Sequence, residues 1–267
     1  MALSNIEKNN YIYPDGEETI TLKLIGETEP YENYWEKSEE EVLNRVIKSI
    51  KKKRLNGKFL DIGCGLGRLI HKFSPYFQEI YGVEPDKGRF DVCKKNISEW
   101  ELEDKVKLFN GSVEAIEQKN SFDMILCSHV IQHIPEQTVI HLLEAIRTLI
   151  KKDGILVFTT AHSIIEKDIY VKSYMNCVNK RIEELISPEE FNGFENVEGL
   201  LPIKMFTLNS LNTLLKINSF DIIDSKVYHH NKASKLLDNA LGTDKLINTC
   251  EYIKNRCGRD IFVIAKA

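Results

Sequence analysis

The six cysteines, Cys64, Cys93, Cys127, Cys177, Cys250 and Cys257, include no C-x-x-C pair, which argues against both a disulfide framework and ordinary zinc spacing. A zinc site built from Cys250, Cys257 and the His229/His230 pair is disfavoured by the ligand-spacing rules. No apolar run is long enough to span a bilayer, and "MALSNIEKNN" has no charged stretch leading into an apolar one. The expectation is therefore a soluble, cytoplasmic protein without a membrane partner. Positive charge is not in excess either: 36 Lys and Arg stand against 40 Asp and Glu, for a formal charge of −4 and a pI near 6.0. That balance supplies no general basic field for nucleic acid. The run "KKKR" (51–54) falls at the end of a predicted helix, where basic residues complement the helix dipole. Repeats and low-complexity tracts are absent as well.

What is present is an alternation. Over 267 residues, 42% of them hydrophobic, the chain can bury one full core. Strand-like runs "KFLDI" (58–62), "EIYGV" (79–83), "VKLFN" (106–110), "FDMILC" (122–127) and "GILVFTT" (154–160) alternate with helix-like stretches at 86–100 and 135–150, the pattern of a parallel α/β sheet. "FDIIDSKVY" (220–228) and "DIFVIAKA" (260–267) bring the expected strands to seven. Two regions break the rhythm. Residues 1–50 read as an N-terminal cover, with a hairpin in "YPDGEETITLKL" and an amphipathic helix in "YENYWEKSEEEVLNRVIKSI" entered through Tyr31, Tyr34 and Trp35. The main domain, 51–267, is interrupted at 163–204 by an Asn- and Glu-rich stretch read as a helical, lid-like insertion after strand 5.

The chemistry concentrates in "FLDIGCGLGRLI" (59–70), where Asp61 near the end of the first strand is followed by Gly63, Gly65 and Gly67. Such a strand-to-helix turn is where α/β folds bind ligands. The dinucleotide fingerprint G-x-G-x-x-G is not met, because Arg68 occupies its third glycine position, and a carboxylate at 61 opposes a pyrophosphate while favouring a cationic ligand. A nicotinamide oxidoreductase is disfavoured on both counts. The next strand ends "YGVEPD", placing Glu84 where an acid accepts ribose hydroxyls.

Together, "LDIGCGLGR", "IYGVEPD", "FDMILCSHVIQHI" and "DGILVFTT" resemble the class I S-adenosylmethionine-dependent methyltransferases over roughly residues 55–162. The resemblance implies a mostly parallel seven-stranded sheet with helices on both faces and an antiparallel last strand. It also implies S-adenosyl-L-methionine as cofactor: Asp61 holding the methionine moiety, Gly63 and Gly65 admitting it against the backbone, Glu84 binding ribose, and Cys127 and Ser128 presenting backbone carbonyls. The family's Gly-Asp after the third strand is Gly111-Ser112 here, which leaves Ser112 and the Val113 backbone as adenine contacts.

"CSHVIQHI" lacks the Asn/Asp-Pro-Pro-aromatic pattern of methyltransferases acting on bases or glutamine, so the reading is O-, N- or C-methylation of a small-molecule acceptor. An RNA or protein methyltransferase, or a non-catalytic cofactor-binding protein, are the alternatives; oligomeric state is open. His129 and His133 are spaced to share a helix face, and His162 follows the fifth strand at the same edge. His129 is read as facing the acceptor as general base, since an ordinary imidazole pKa of about 6.5 suits proton removal near neutrality, with His162 beside it, while His133 is read as structural. The alternatives are a divalent metal held by the three histidines and a purely structural role for His129. Similar ubiquinone O-methyltransferases carry Glu-x-x-Glu-His here, but His129 and Gln132 replace both glutamates, so an oxygen-rich magnesium site is not expected.

Overall fold

The structure, a computed structural model, describes residues 31–177, 181–194, 199–230 and 258–267. The expected hairpin, Cys250 and Cys257 lie outside them. Seven strands form one sheet: β1 (Lys58–Ile62), β2 (Glu79–Glu84), β3 (Val106–Asn110), β4 (Phe122–Ser128), β5 (Ile150–Ala161), β9 (Asp221–His230) and β10 (Gly258–Lys266). Their order is β3-β2-β1-β4-β5-β10-β9. The pairs among β1 to β5 are parallel, and β10 runs antiparallel between β5 and β9. Strand order reverses between β1 and β4, and the crevice at the carboxyl ends there is the ligand position of open α/β sheets.

The strands form where apolar runs are continuous: Phe59, Leu60, Ile125, Leu126, Leu156 and Val157 are all buried, as sheets covered on both faces require. Helices α2 (Arg68–Phe73), α3 (Lys87–Glu99) and α4 (Glu136–Leu149) are the crossovers. Buried Val139, Leu142, Leu143, Ile146 and Leu149 form the apolar stripe of α4. Helix α1 (Tyr31–Lys53) runs across position 50 and sends Val42, Leu43, Val46 and Ile50 into the same core as Phe59 and Ile80. It is also tied by charge, Glu39 to Arg68 at the start of α2 and Arg45 to Asp224 on β9.

The insertion after strand 5 corrects the sequence reading. It is a three-stranded antiparallel sheet, β7-β6-β8, of β6 (Ile169–Met175), β7 (Arg181–Leu185) and β8 (Leu200–Met205), with one short helix, α5 (Pro188–Asn192). "IYVKSY" and "LLPIKM" alternate with period two, so that Val171, Leu201 and Ile203 form a small core of their own. That burial outweighs the helical composition of the intervening residues. Helix α6 (Leu208–Ile217) then leads to β9.

Candidate functional site

The turn after β1 is built from backbone. Gly63 and Gly65 have φ of +69° and +55°, which L side chains rarely adopt. A Cβ on Gly63 would also sit 2.4 Å from Val130 Cγ2. The N–H groups of Gly63 and Cys64 both donate to Val83 O, which binds the turn to β2. Behind the turn lies Asp61, 1% exposed; its Oδ2 has no hydrogen-bond partner among the described residues. Burial, with a smaller push from Glu84 and against the pull of Arg68, raises its pKa to about 8. Arg68 itself makes a two-pronged bond to Glu39 of α1. The residue that breaks the dinucleotide pattern therefore fastens α1 beside the site.

Glu84, 3% exposed, accepts from Gly65 N at 2.8 Å on one oxygen and from Asp86 N at 3.0 Å on the other. Each carboxylate oxygen keeps a lone pair for a hydroxyl. Burial pushes its pKa up, partly offset by the Asp86 N–H, the charge of Arg89 and the Gly65 N–H. After β3, Asn110 donates to Glu84 O and Pro85 O, steadying the acidic tip. Ser112 donates its hydroxyl to Glu114, and Val113 is buried in the core. Composition alone gave no signal for Asn110 or Glu114, whose parts here depend on where β2 and β3 end in register.

Across the crevice, Cys127 is fully buried, and burial followed by the charge of Asp61 pushes its thiol far up. That thiol stays protonated and unreactive. Ser128 Oγ lies 2.7 Å from Thr159 Oγ1. His129 follows with φ +56° and donates its backbone N–H to Thr159 O. The shared helix face expected for His129 and His133 is not formed, because residues 131–133 make one 3-10 turn. Nor are the three histidines a ligand set: His133 Nδ1 bonds Pro202 O at 2.8 Å, and buried His162 bonds Gly258 O at 2.7 Å through its Nδ1. Among the described residues no cluster of three or more His, Cys, Asp or Glu is arranged to hold a metal.

Asp260 escaped the sequence reading, and His229 entered it only as a zinc candidate. Asp260 on β10 and His229 on β9 meet at 2.5 Å. Asp260 is buried, which pushes its pKa up, but the charge of His129 and the His229 bond outweigh burial and hold it below the ordinary value. Their contact depends on an antiparallel register that no local pattern encodes.

A family model described as a methyltransferase domain matches residues 60–156. The probable S-adenosylmethionine-dependent methyltransferase CRG1 of Saccharomyces cerevisiae is 25% identical over 119 residues, 44% of this chain but 39% of that protein. A ubiquinone biosynthesis O-methyltransferase of Paraburkholderia phymatum is 26% identical over 167 residues, 59% of this chain and 71% of the relative. An S-adenosylmethionine-dependent methyltransferase from Clostridium acetobutylicum shares the fold, with TM-score 0.59 at 15% identity over 94% of this chain and 98% of that one. With the glycine turn, the two acidic strand tips and the sheet order in place, these matches support a methyltransferase domain of the class I S-adenosylmethionine-dependent kind at residues 60–156. Its cofactor is S-adenosylmethionine. The residues fit that cofactor: the partnerless Asp61 oxygen suits a cationic ligand, and Glu84 retains acceptor capacity for ribose. Among the described residues no helix is long and apolar enough to cross a membrane.

Proposed function

We propose that the protein methylates a small-molecule acceptor, with His129 removing the proton that the acceptor loses. S-adenosylmethionine supplies a methyl group on a sulfonium, so the chain's own work is to hold, orient and deprotonate. Asp61 and the Gly63–Gly65 turn hold the methionine end, Glu84 the ribose, and the backbone at Cys127 and Ser128 the amino group; Ser112 and Val113 border the adenine. His129 stands just past the tip of β4, beside Ser128, on the strand that pairs with the Asp61 strand β1. The buried Asp260 carboxylate interacts with His129 by charge. His162, buried against Gly258 O, positions the end of β5.

The observation that carries the acceptor reading is the inserted sheet. It is fastened to the turn after β4, where Pro202 O accepts from His133 and Lys204 pairs with Glu136 at the start of α4. An element anchored at that edge supports a role in shaping an acceptor site. The ubiquinone O-methyltransferase relatives agree with a small molecule. The test is transfer from labelled S-adenosylmethionine to phenols, carboxylic acids and amines, alongside total RNA and a protein extract. Labelled small product, lost in His129→Ala, is the expected result. Label only in RNA or protein, or none with intact cofactor binding, would overturn the proposal.

A further inference from the structure

The hydrogen bonds around Gln132 determine which nitrogen of His129 carries the proton. The side-chain oxygen of Gln132 accepts from Ala161 N at 2.7 Å and from Thr160 Oγ1 at 3.3 Å. A backbone N–H can only donate, so the atom facing Ala161 is the amide oxygen and the amide cannot be flipped. His133 reaches the same conclusion from the other side. Its Nδ1 faces the carbonyl of Pro202 at 2.8 Å and must donate, so its Nε2 is bare in the neutral ring and accepts from Gln132 Nε2 at 2.9 Å. The oxygen that Ala161 fixes lies 3.2 Å from His129 Nδ1. That nitrogen must therefore donate, and the lone pair of the neutral ring sits on Nε2.

We infer that Gln132 is a positioning residue that locks His129 in its Nδ1–H form, and that Pro202 of the inserted sheet holds Gln132 in place through His133. The inference rests on the reading of His129 as the base and deepens it. Pro202 lies on β8, an edge strand that among the described residues pairs with β6 alone, and its carbonyl meets His133. Gln132 is itself buried, and the Ala161 bond ties it to the end of β5. The acceptor-side sheet and the protonation geometry of the base thus share one chain of donors and acceptors: His129 Nδ1–H to Gln132 O, Gln132 N–H to His133 Nε2, and His133 Nδ1–H to Pro202 O. When the acceptor's proton arrives at Nε2, the Nδ1–H bond to Gln132 is kept and nothing in the relay needs to turn. This is the arrangement a base needs if it is to act without rearrangement.

The experiment is long-range nitrogen–proton NMR on uniformly ¹⁵N-labelled full-length protein, with His129 assigned by its loss in His129→Ala. An unprotonated Nε2 and a protonated Nδ1 are expected above the imidazole titration range. In Gln132→Leu the signature should become a mixture, and kcat should fall roughly 10- to 100-fold, within the reach of a general base. The KM for S-adenosylmethionine should hardly move. Gln132→Glu keeps an oxygen facing Nδ1 and should restore the Nδ1–H signature, which separates positioning from a general folding defect. An Nε2–H signature in the unaltered protein, or an Nδ1–H signature unchanged in Gln132→Leu, would overturn the inference. Full turnover by His129→Ala with the Nδ1–H signature intact overturns only the base reading and leaves the tautomer assignment standing.

Discussion

The β1–β2–β3 half of the carboxyl edge and the β4–β5–β10–β9 half hold their polar groups by different means. On the first side Asp61, Gly63, Gly65 and Glu84 fall within one β-turn-α-β unit, and backbone N–H groups fix the Glu84 carboxylate. On the second side the bonds join residues far apart in the chain: Gln132 to Ala161, His133 to Pro202, His229 to Asp260 and Ser128 to Thr159. A cofactor common to a family can be met by one short backbone motif, while an acceptor is met by side chains that the tertiary fold must bring together. Halves built so differently should respond separately to substitution.

The largest effect is expected at Asp61. Asp61→Asn removes the carboxylate facing a cationic ligand, which should cost about 3 kcal/mol of S-adenosylmethionine affinity, or on the order of 100-fold. The pH dependence follows from a carboxyl held near 8 in the ligand-free chain. Below that pH, binding a cation must expel the proton, so calorimetry in buffers of different ionisation heat should show proton release. Affinity should climb with pH and level off above about 8. Stability runs the other way: a folded pKa raised above the ordinary value of about 3.9 means that the free protein loses stability as pH rises from roughly 4 to 8. Asp61→Asn should flatten both profiles. A pH-independent wild-type affinity would break the assignment.

Next comes Glu84. Glu84→Ala should weaken S-adenosylmethionine and S-adenosylhomocysteine by roughly 2 to 3 kcal/mol, since hydrogen bonds to a charged acceptor contribute about 1.5 to 3 kcal/mol and here share one desolvation. The variant also frees the Gly65 and Asp86 N–H groups, so some of that loss comes from the turn. Equal affinity by calorimetry in the variant would remove the ribose assignment.

Lys204 of β8 provides the corresponding probe on the other half. Its ammonium is largely buried, bonded to Glu136 at 2.5 Å and 3.3 Å from Asp168, and it lies over the rings of Tyr170 and Phe206. Lys204→Met keeps the stem but leaves both carboxylates without their cation. Because Glu136 is nearly half exposed, the stability loss should be only about 1 to 2 kcal/mol. Urea unfolding measures that loss. If the halves are separable, cofactor affinity stays at the wild-type value while acceptor turnover drops; a parallel loss of cofactor affinity would show them to be one unit.

The same division governs what the sequence disclosed. Strands β1 and β3 were legible to the residue, because a continuous apolar run bounded by Gly, Asp or Asn leaves little choice of register, and Asp61 and Glu84 followed from their places at strand ends. The 163–204 insertion was misread because polar residues between β6 and β8 carry a helical composition, whereas the outcome was decided by Val171, Leu201 and Ile203 burying one another across a sheet. His129 and His133 were read as sharing a helix face, but residues 131–133 make one 3-10 turn and His129 has a left-handed backbone. Asp260 and Gln132 gave no local sign, since one is defined by strand pairing and the other by a bond to β5.

The smallest effect is expected at Ser112, and it bears on the one family position that this sequence changes. If Ser112 recognised adenine through its hydroxyl, Ser112→Ala would cost about 1 kcal/mol of cofactor affinity, the usual net worth of such a bond. In the structure that hydroxyl is committed to Glu114, two residues on, in an exposed turn. Its removal then costs the cofactor little, and the affinity should stay within about 0.5 kcal/mol of wild type. Glu114→Gln separates the remaining options. A drop in affinity for S-adenosylmethionine but not for an analogue lacking the adenine amino group would move the acidic contact from position 112 to 114. Unchanged affinity in both variants would leave adenine recognition to the backbone at Val113, and the cofactor half would then bind its ligand with side chains from Asp61 and Glu84 and with main chain elsewhere.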